Sequence, residues 1–191
     1  MKVTYTKSRL IAYARRISGF DCLRADCGAE RADGVDVDAL LGDALRRWYL
    51  ALLDNGPAGY LAPEELTVVA ANEIGIAGGT SMALPENCRR VLWLRLPGWH
   101  HGTVPLAASE ADRVALRQLN PYTASTPSAP VAVLAPSGRS VTAWPAAAEY
   151  GSPKVMAAVD TGEDSFVFDD SALATLPEFL QTVKIVQYAD I

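Results

Sequence analysis

Apolar residues recur at helical spacing in the first third of the chain and in short, broken runs after it. Leu10, Ala14 and Ile17, with Ile11 beside them, predict a first helix over residues 7–18, ended by Gly19 in a left-handed cap. Val37, Leu40, Leu41, Ala44, Leu45, Trp48 and Leu52 predict a longer helix from Val37 to Leu53. Asp36 or Asp38 can cap it, because an aspartate side chain accepts the free N–H groups of a first turn, and Asp54-Asn55-Gly56-Pro57 stops it. Leu41, Leu45, Trp48 and Leu52 are therefore expected in the core. Between the two helices, Asp21–Gly34 has charge and glycine without periodicity and reads as a surface loop. Pro63-Glu64-Glu65 suits the first turn of another short helix.

After Leu66 the pattern changes to short apolar runs separated by Gly, Pro and Asn. Strands are expected at Thr67–Ala71, Arg90–Leu96, Thr103–Leu106, Val131–Leu134, Ser140–Trp144, Val155–Val159 and Ser165–Phe168. Pro136-Ser137-Gly138-Arg139 fits a hairpin turn. A helical pattern at Ala108–Leu119 interrupts the strands, with Ala111, Val114, Ala115 and Leu119 as its apolar side and Ser109 as its cap. Pro177–Tyr188 reads as a final helix with Phe179, Leu180, Val183 and Val186 inward. The fold class is α+β: N-terminal helices, then a β-rich, antiparallel region with an intervening helix and a C-terminal helix. The expected division is a helical part at 1–66 and a β-rich part at 67–191, forming one compact unit.

Composition narrows the function. A chain of 191 residues that is 50% hydrophobic can bury a sizeable core, which argues against disorder as a whole. The net charge of −5 is the wrong sign for broad nucleic-acid binding. The start, Met1-Lys2-Val3-Thr4-Tyr5-Thr6-Lys7, has no apolar run behind its basic residues, and no stretch reaches the length of a membrane span. A cytoplasmic protein with no membrane partner is expected. Three cysteines, Cys22, Cys27 and Cys88, form an odd set without metal-site spacing and read as reduced thiols.

The residues that could carry chemistry all have plainer readings. His100 and His101 are adjacent and so point apart, which fits an exposed turn better than a shared metal. Cys88 precedes an apolar strand and reads as a half-buried thiol. Gly75-Ile76-Ala77-Gly78-Gly79-Thr80-Ser81 lacks the Lys-Ser/Thr ending of a phosphate loop and reads as a flexible connector. Asp160, Glu163, Asp164, Asp169 and Asp170 do not have calcium-loop spacing and read as a solvated turn. Trp93 and Trp144 are expected in the core. Trp99, beside the histidines, is expected to be partly accessible, so Trp99, His100 and His101 form the candidate interface, together with the loop Asp21–Gly34. No enzyme activity, metal or cofactor is expected. The alternative is a small-molecule-binding domain or enzyme with a pocket near Cys88, Trp99 and His100.

One order of elements is familiar. Leu84-Pro85-Glu86-Asn87-Cys88-Arg89-Arg90-Val91-Leu92-Trp93-Leu94-Arg95 is a Leu-Pro turn, a polar step and a strand. Asn120-Pro121-Tyr122, Pro130-Val131-Ala132-Val133-Leu134 and Ser140-Val141-Thr142-Ala143-Trp144-Pro145-Ala146 follow it. With the helix that ends at Trp48–Asn55, this resembles, across residues 37–146, the plan of phage head–tail adaptor and tail-tubular proteins. The resemblance implies a ring-forming structural subunit of a phage or prophage, whose partners are copies of itself or portal and tail proteins, and whose location is the cytoplasm or the virion. It carries no catalytic residue over.

Overall fold

The computed structural model describes residues 1–19, 36–73, 78–148 and 152–183. The predicted loop Asp21–Gly34, with Cys22 and Cys27, and the end of the predicted last helix lie outside them. Contacts divide the chain into two compact units, Met1–Ala62 with Asp160–Ile191, and Pro63–Val159. The expected parts were 1–66 and 67–191. The first boundary falls close by, whereas the last thirty-odd residues belong with the N-terminal helices because a strand at each end of the chain pairs with the other.

That pairing builds the first unit. Lys2–Thr6 (β1) is a strand that the sequence reading did not assign, and it runs antiparallel to Ser165–Asp169 (β9), with Val3 opposite Phe168 and Tyr5 opposite Phe166. Residues 2–6 alternate polar and apolar, but five residues carry little pattern until their partner is known. Thr6 ends the strand and caps helix α1, Lys7–Ile17, by accepting from the Arg9 N–H. Gly19 follows α1 with φ 75°.

Helix α2, Val37–Asn55, begins at Asp36, whose carboxylate accepts from the N–H groups of Asp38 and Ala39. Leu41, Leu45, Trp48 and Leu52 are all buried, as the spacing predicts. A 3-10 segment, Asp170–Thr175, leads from β9 into helix α4, Leu176–Thr182, where Leu176 and Leu180 are buried. (Helix α3, Ala111–Gln118, belongs to the second unit.)

The core of the first unit is mostly leucine and alanine, and a cluster of aromatic rings ties it to the β1–β9 pair. Tyr5 stacks on Phe168 at 5.5 Å, Trp48 meets the same ring edge-on at 5.3 Å, and Tyr49 meets Phe166 edge-on at 5.2 Å. Offset or edge-to-face rings like these add to the area they bury.

The second unit holds two antiparallel sheets. One has the order β2-β8-β5, from Glu64–Leu66 (β2), Lys154–Val159 (β8) and Cys88–Arg95 (β5). The other has the order β3-β4-β7-β6, from Ala70–Glu73 (β3), Gly79–Ala83 (β4), Ser140–Trp144 (β7) and Val131–Leu134 (β6). Val91, Leu94 and Val155 from the first sheet share one core with Met82, Ala132, Val141 and Ala143 from the second. Alternation sends Trp144 and Val133 to the other face of the second sheet. There they pack with Val114 of helix α3, Ala111–Gln118.

Several expected elements change here. Pro63-Glu64-Glu65 opens strand β2 rather than a helix, because Glu64 and Leu66 pair with Ala157 and Val155. The run Thr67–Ala71 contributes only its last two residues, to β3. Thr103–Leu106 makes isolated bridges to Leu94 and Val133 instead of a strand. Gly79-Thr80-Ser81, read as connector, lies in β4. A Cβ on Gly79 would sit 2.6 Å from the Trp144 indole nitrogen, so a glycine is needed for that ring to cover the strand. Ser109 gives α3 no side-chain cap, and a 3-10 turn at Ala108–Glu110 precedes the helix instead. The mixed α and β composition and the antiparallel pairing stand as expected.

Candidate functional site

The turn after β5 was the expected interface, and its geometry corrects that expectation. Leu94 and Thr103 exchange backbone hydrogen bonds at 2.9 and 2.8 Å, which folds residues 96–101 into a turn. Gly98 supplies the left-handed residue, with φ 88°. Trp99 is only 2% exposed and lies within the shared core of the two sheets. Its indole N–H donates to the Pro145 carbonyl at 2.9 Å, and its own carbonyl accepts from the Arg95 guanidinium at 3.1 Å. A buried indole with its donor satisfied is a core anchor, so Trp99 is not an accessible surface residue.

His100 and His101 are exposed. The His100 N–H donates to the Pro127 carbonyl at 2.9 Å, and its Nδ1 lies 2.8 Å from the Ser128 hydroxyl. His100 thus ties the 126–129 turn to the end of β5. Trp93 is half-buried, and Gly102 makes room for it: a Cβ there would come within 2.3 Å of the indole.

Cys88 starts β5, whereas Trp99 and His100 lie beyond its far end. Cys88 packs from the start of β5 against the core cluster that Trp99 joins from the turn after its end. Cys88 itself is half-buried, and burial raises its thiol pKa against the opposing pull of Arg139. Among the described residues, no group of three His, Cys, Asp or Glu side chains is placed to hold a metal. No described helix is long and apolar enough to cross a membrane.

The acidic stretch is more than a solvated turn. Arg46 on α2 grips Asp160 with both terminal guanidinium nitrogens, at 2.8 and 2.5 Å, and donates to the Gly162 carbonyl at 2.9 Å. The hydrogen bond to Asp160 raises the Arg46 pKa, with desolvation opposing it. One turn further along α2, the Tyr49 hydroxyl accepts from the Val167 N–H at 3.2 Å. These polar contacts bolt α2 to β9 and the turn before it. Asp169 accepts from the Met1 ammonium and from Ser171, which together lower its pKa to about 2.

Two surfaces escaped the sequence reading. The first is an outward apolar run at the end of α3. Leu116 is 68% exposed, Leu119 70% and Tyr122 96%. Leu119 was expected to face inward with Val114, but at 100° per residue it lies about 140° around the helix from Val114, and Leu116 about 200°. Helical spacing alone held this signal. The second surface is an open groove of about 400 Å³ in the first unit, lined by Trp48, Ala51 and Leu52 of α2, by Pro57 and Tyr60 after it, and by Phe179 of α4. The indole N–H of Trp48 is already satisfied by Thr175 at 3.1 Å, so the wall it forms is apolar. Glu178 is the charged residue at this groove, and the C-terminal end of α2, with no basic residue in its last turn, lies beside it. No family model matches the chain, and no curated protein matches it.

Proposed function

We propose that this chain is a non-enzymatic structural subunit of a phage or prophage head–tail junction, working through protein–protein contacts in a ring. The observation that carries the protein-contact part is the outward apolar run Leu116, Leu119 and Tyr122. Leu116 in the last turn of α3, Leu119 at its C-cap and Tyr122 in the turn that follows are three large exposed apolar side chains within seven residues, a stretch that favours a partner over water. The phage assignment rests on the resemblance across residues 37–146. What supports it is an order of elements: helix α2, then β5 after Leu84-Pro85, then β6 after Pro130, then β7 before Pro145. Its partners are then copies of itself or portal and tail proteins, its place is the cytoplasm or the virion, and its work needs no cofactor.

Sedimentation velocity over a range of concentrations tests this reading. A ring subunit should give one discrete large species that grows at the expense of monomer. Purely monomeric sedimentation up to the highest concentration would count against it.

A further inference from the structure

We propose that the apolar run Leu116–Tyr122 of one copy seats in the α2/α4 groove of a second copy, a contact that rests on the structural-subunit reading above. The two surfaces match in apolar character and in charge. The run is a protrusion whose outermost residue, Tyr122, is 96% exposed, and the groove is an open hollow of about 400 Å³ with apolar walls. A tyrosine suits such a contact, since it brings a rigid ring and a hydroxyl that can stay at the wet rim.

Charge points the same way. The first unit has ten Lys and Arg against fifteen Asp and Glu, and the second has seven against seven. The whole net charge therefore lies on the unit that holds the groove. From Arg113 to Ala148 the chain has three arginines and no acidic residue, and the exposed run lies inside that stretch. Arg117, exposed between Leu116 and Leu119, would face Glu178 and the negative end of the α2 dipole. Opposite charge at the rim steers encounter and sets register, while the apolar centre supplies affinity.

The protrusion and the groove are different surfaces, so the contact is heterologous. Each copy keeps one free protrusion or groove until a ring closes or a filament grows. Mixing two blocked variants exposes this logic. Leu119→Asp with Tyr122→Ala removes the protrusion. Ala51→Arg fills the groove from an exposed helical position, where an arginine is a good helix former and repels Arg117. All three positions are exposed, and the thermal melt of each variant should match the parent.

Each variant alone should associate about tenfold more weakly or worse, the loss expected when an interface anchor is removed. A mixture should form one-to-one dimers and nothing larger, because a single intact protrusion meets a single intact groove. The inference is overturned if the parent associates and either variant associates equally well, or if the mixture stays monomeric. Rings that survive both changes would sink this contact and leave the junction reading standing. Open filaments abolished by either change would support the contact and sink the ring. A parent that is monomeric at every concentration would overturn both.

Discussion

The two units differ in what supports an aliphatic core. In the first, the rings of Tyr5, Trp48 and Tyr49 interlock around Phe168 and Phe166, and Arg46 and Tyr49 bond to Asp160 and Val167, more than a hundred residues away. In the second, Val, Leu and Ala, mostly on strands, make up most of the buried set, Trp99 is a hydrogen-bonded anchor in the shared core, and the charges balance. Both cores rest on aliphatic burial, and the first adds interlocked rings and polar contacts that reach further along the chain. A substitution of one kind should therefore have different consequences in the two places.

The largest effects should come from the ring anchors. Phe168→Ala should cost about 3–5 kcal/mol in chemical denaturation, since it removes a side chain touched by Tyr5, Trp48 and Tyr49. Trp99→Ala should cost a similar about 3–5 kcal/mol, the outcome opposite to that of an accessible interface residue. If Trp99→Ala instead leaves the melt intact and alters only association, the buried placement of that ring is wrong.

Next come the polar contacts, where the comparison is sharpest. Asp160→Ala should cost about 1–3 kcal/mol, because it leaves the half-buried Arg46 fork without its carboxylate. A double-mutant cycle with Arg46→Ala isolates the coupling, and a coupling near zero would show that the pair does not hold the unit together. In the second unit, His100→Ala should cost about 0.5 kcal/mol or less, since its link to Ser128 is exposed. A large loss there would mean that the second unit also depends on directional bonds.

The smallest effect is a change of slope with pH. Asp169 ionises at about 2 when folded, below its ordinary 3.8, because the Met1 ammonium and Ser171 stabilise the carboxylate. A depressed carboxylate adds stability that is complete above the ordinary value and lost as pH falls through the folded one. Asp169→Asn should therefore flatten the fall in stability between about pH 4 and 2. An unchanged slope would show that this carboxylate is not held in the folded chain.

The same contrast decides what was legible in the sequence. Strands β6 and β7 appear at their expected bounds, and β8 and β9 within one residue, because alternation is local. Helix α2 was equally plain from its spacing and its Asp36 cap. What could not be read were partners. Strand β1 means little without β9, and Glu64-Glu65 resembles a helix start until β8 pairs with it. Trp99 stands beside two exposed histidines, and nothing in that neighbourhood tells of the Pro145 carbonyl 46 residues on. The outward run on α3 was visible in principle, because Leu116 and Leu119 cannot share the face of Val114. The groove was not, since it joins helices at opposite ends of the chain.

The proposed junction subunit assembles with itself into a closed ring. Electron microscopy of the purified full chain at high concentration reads this out. Micrographs should show end-on views of closed rings with one fixed number of subunits. Dispersed monomers, or open filaments of unlimited length, would contradict it.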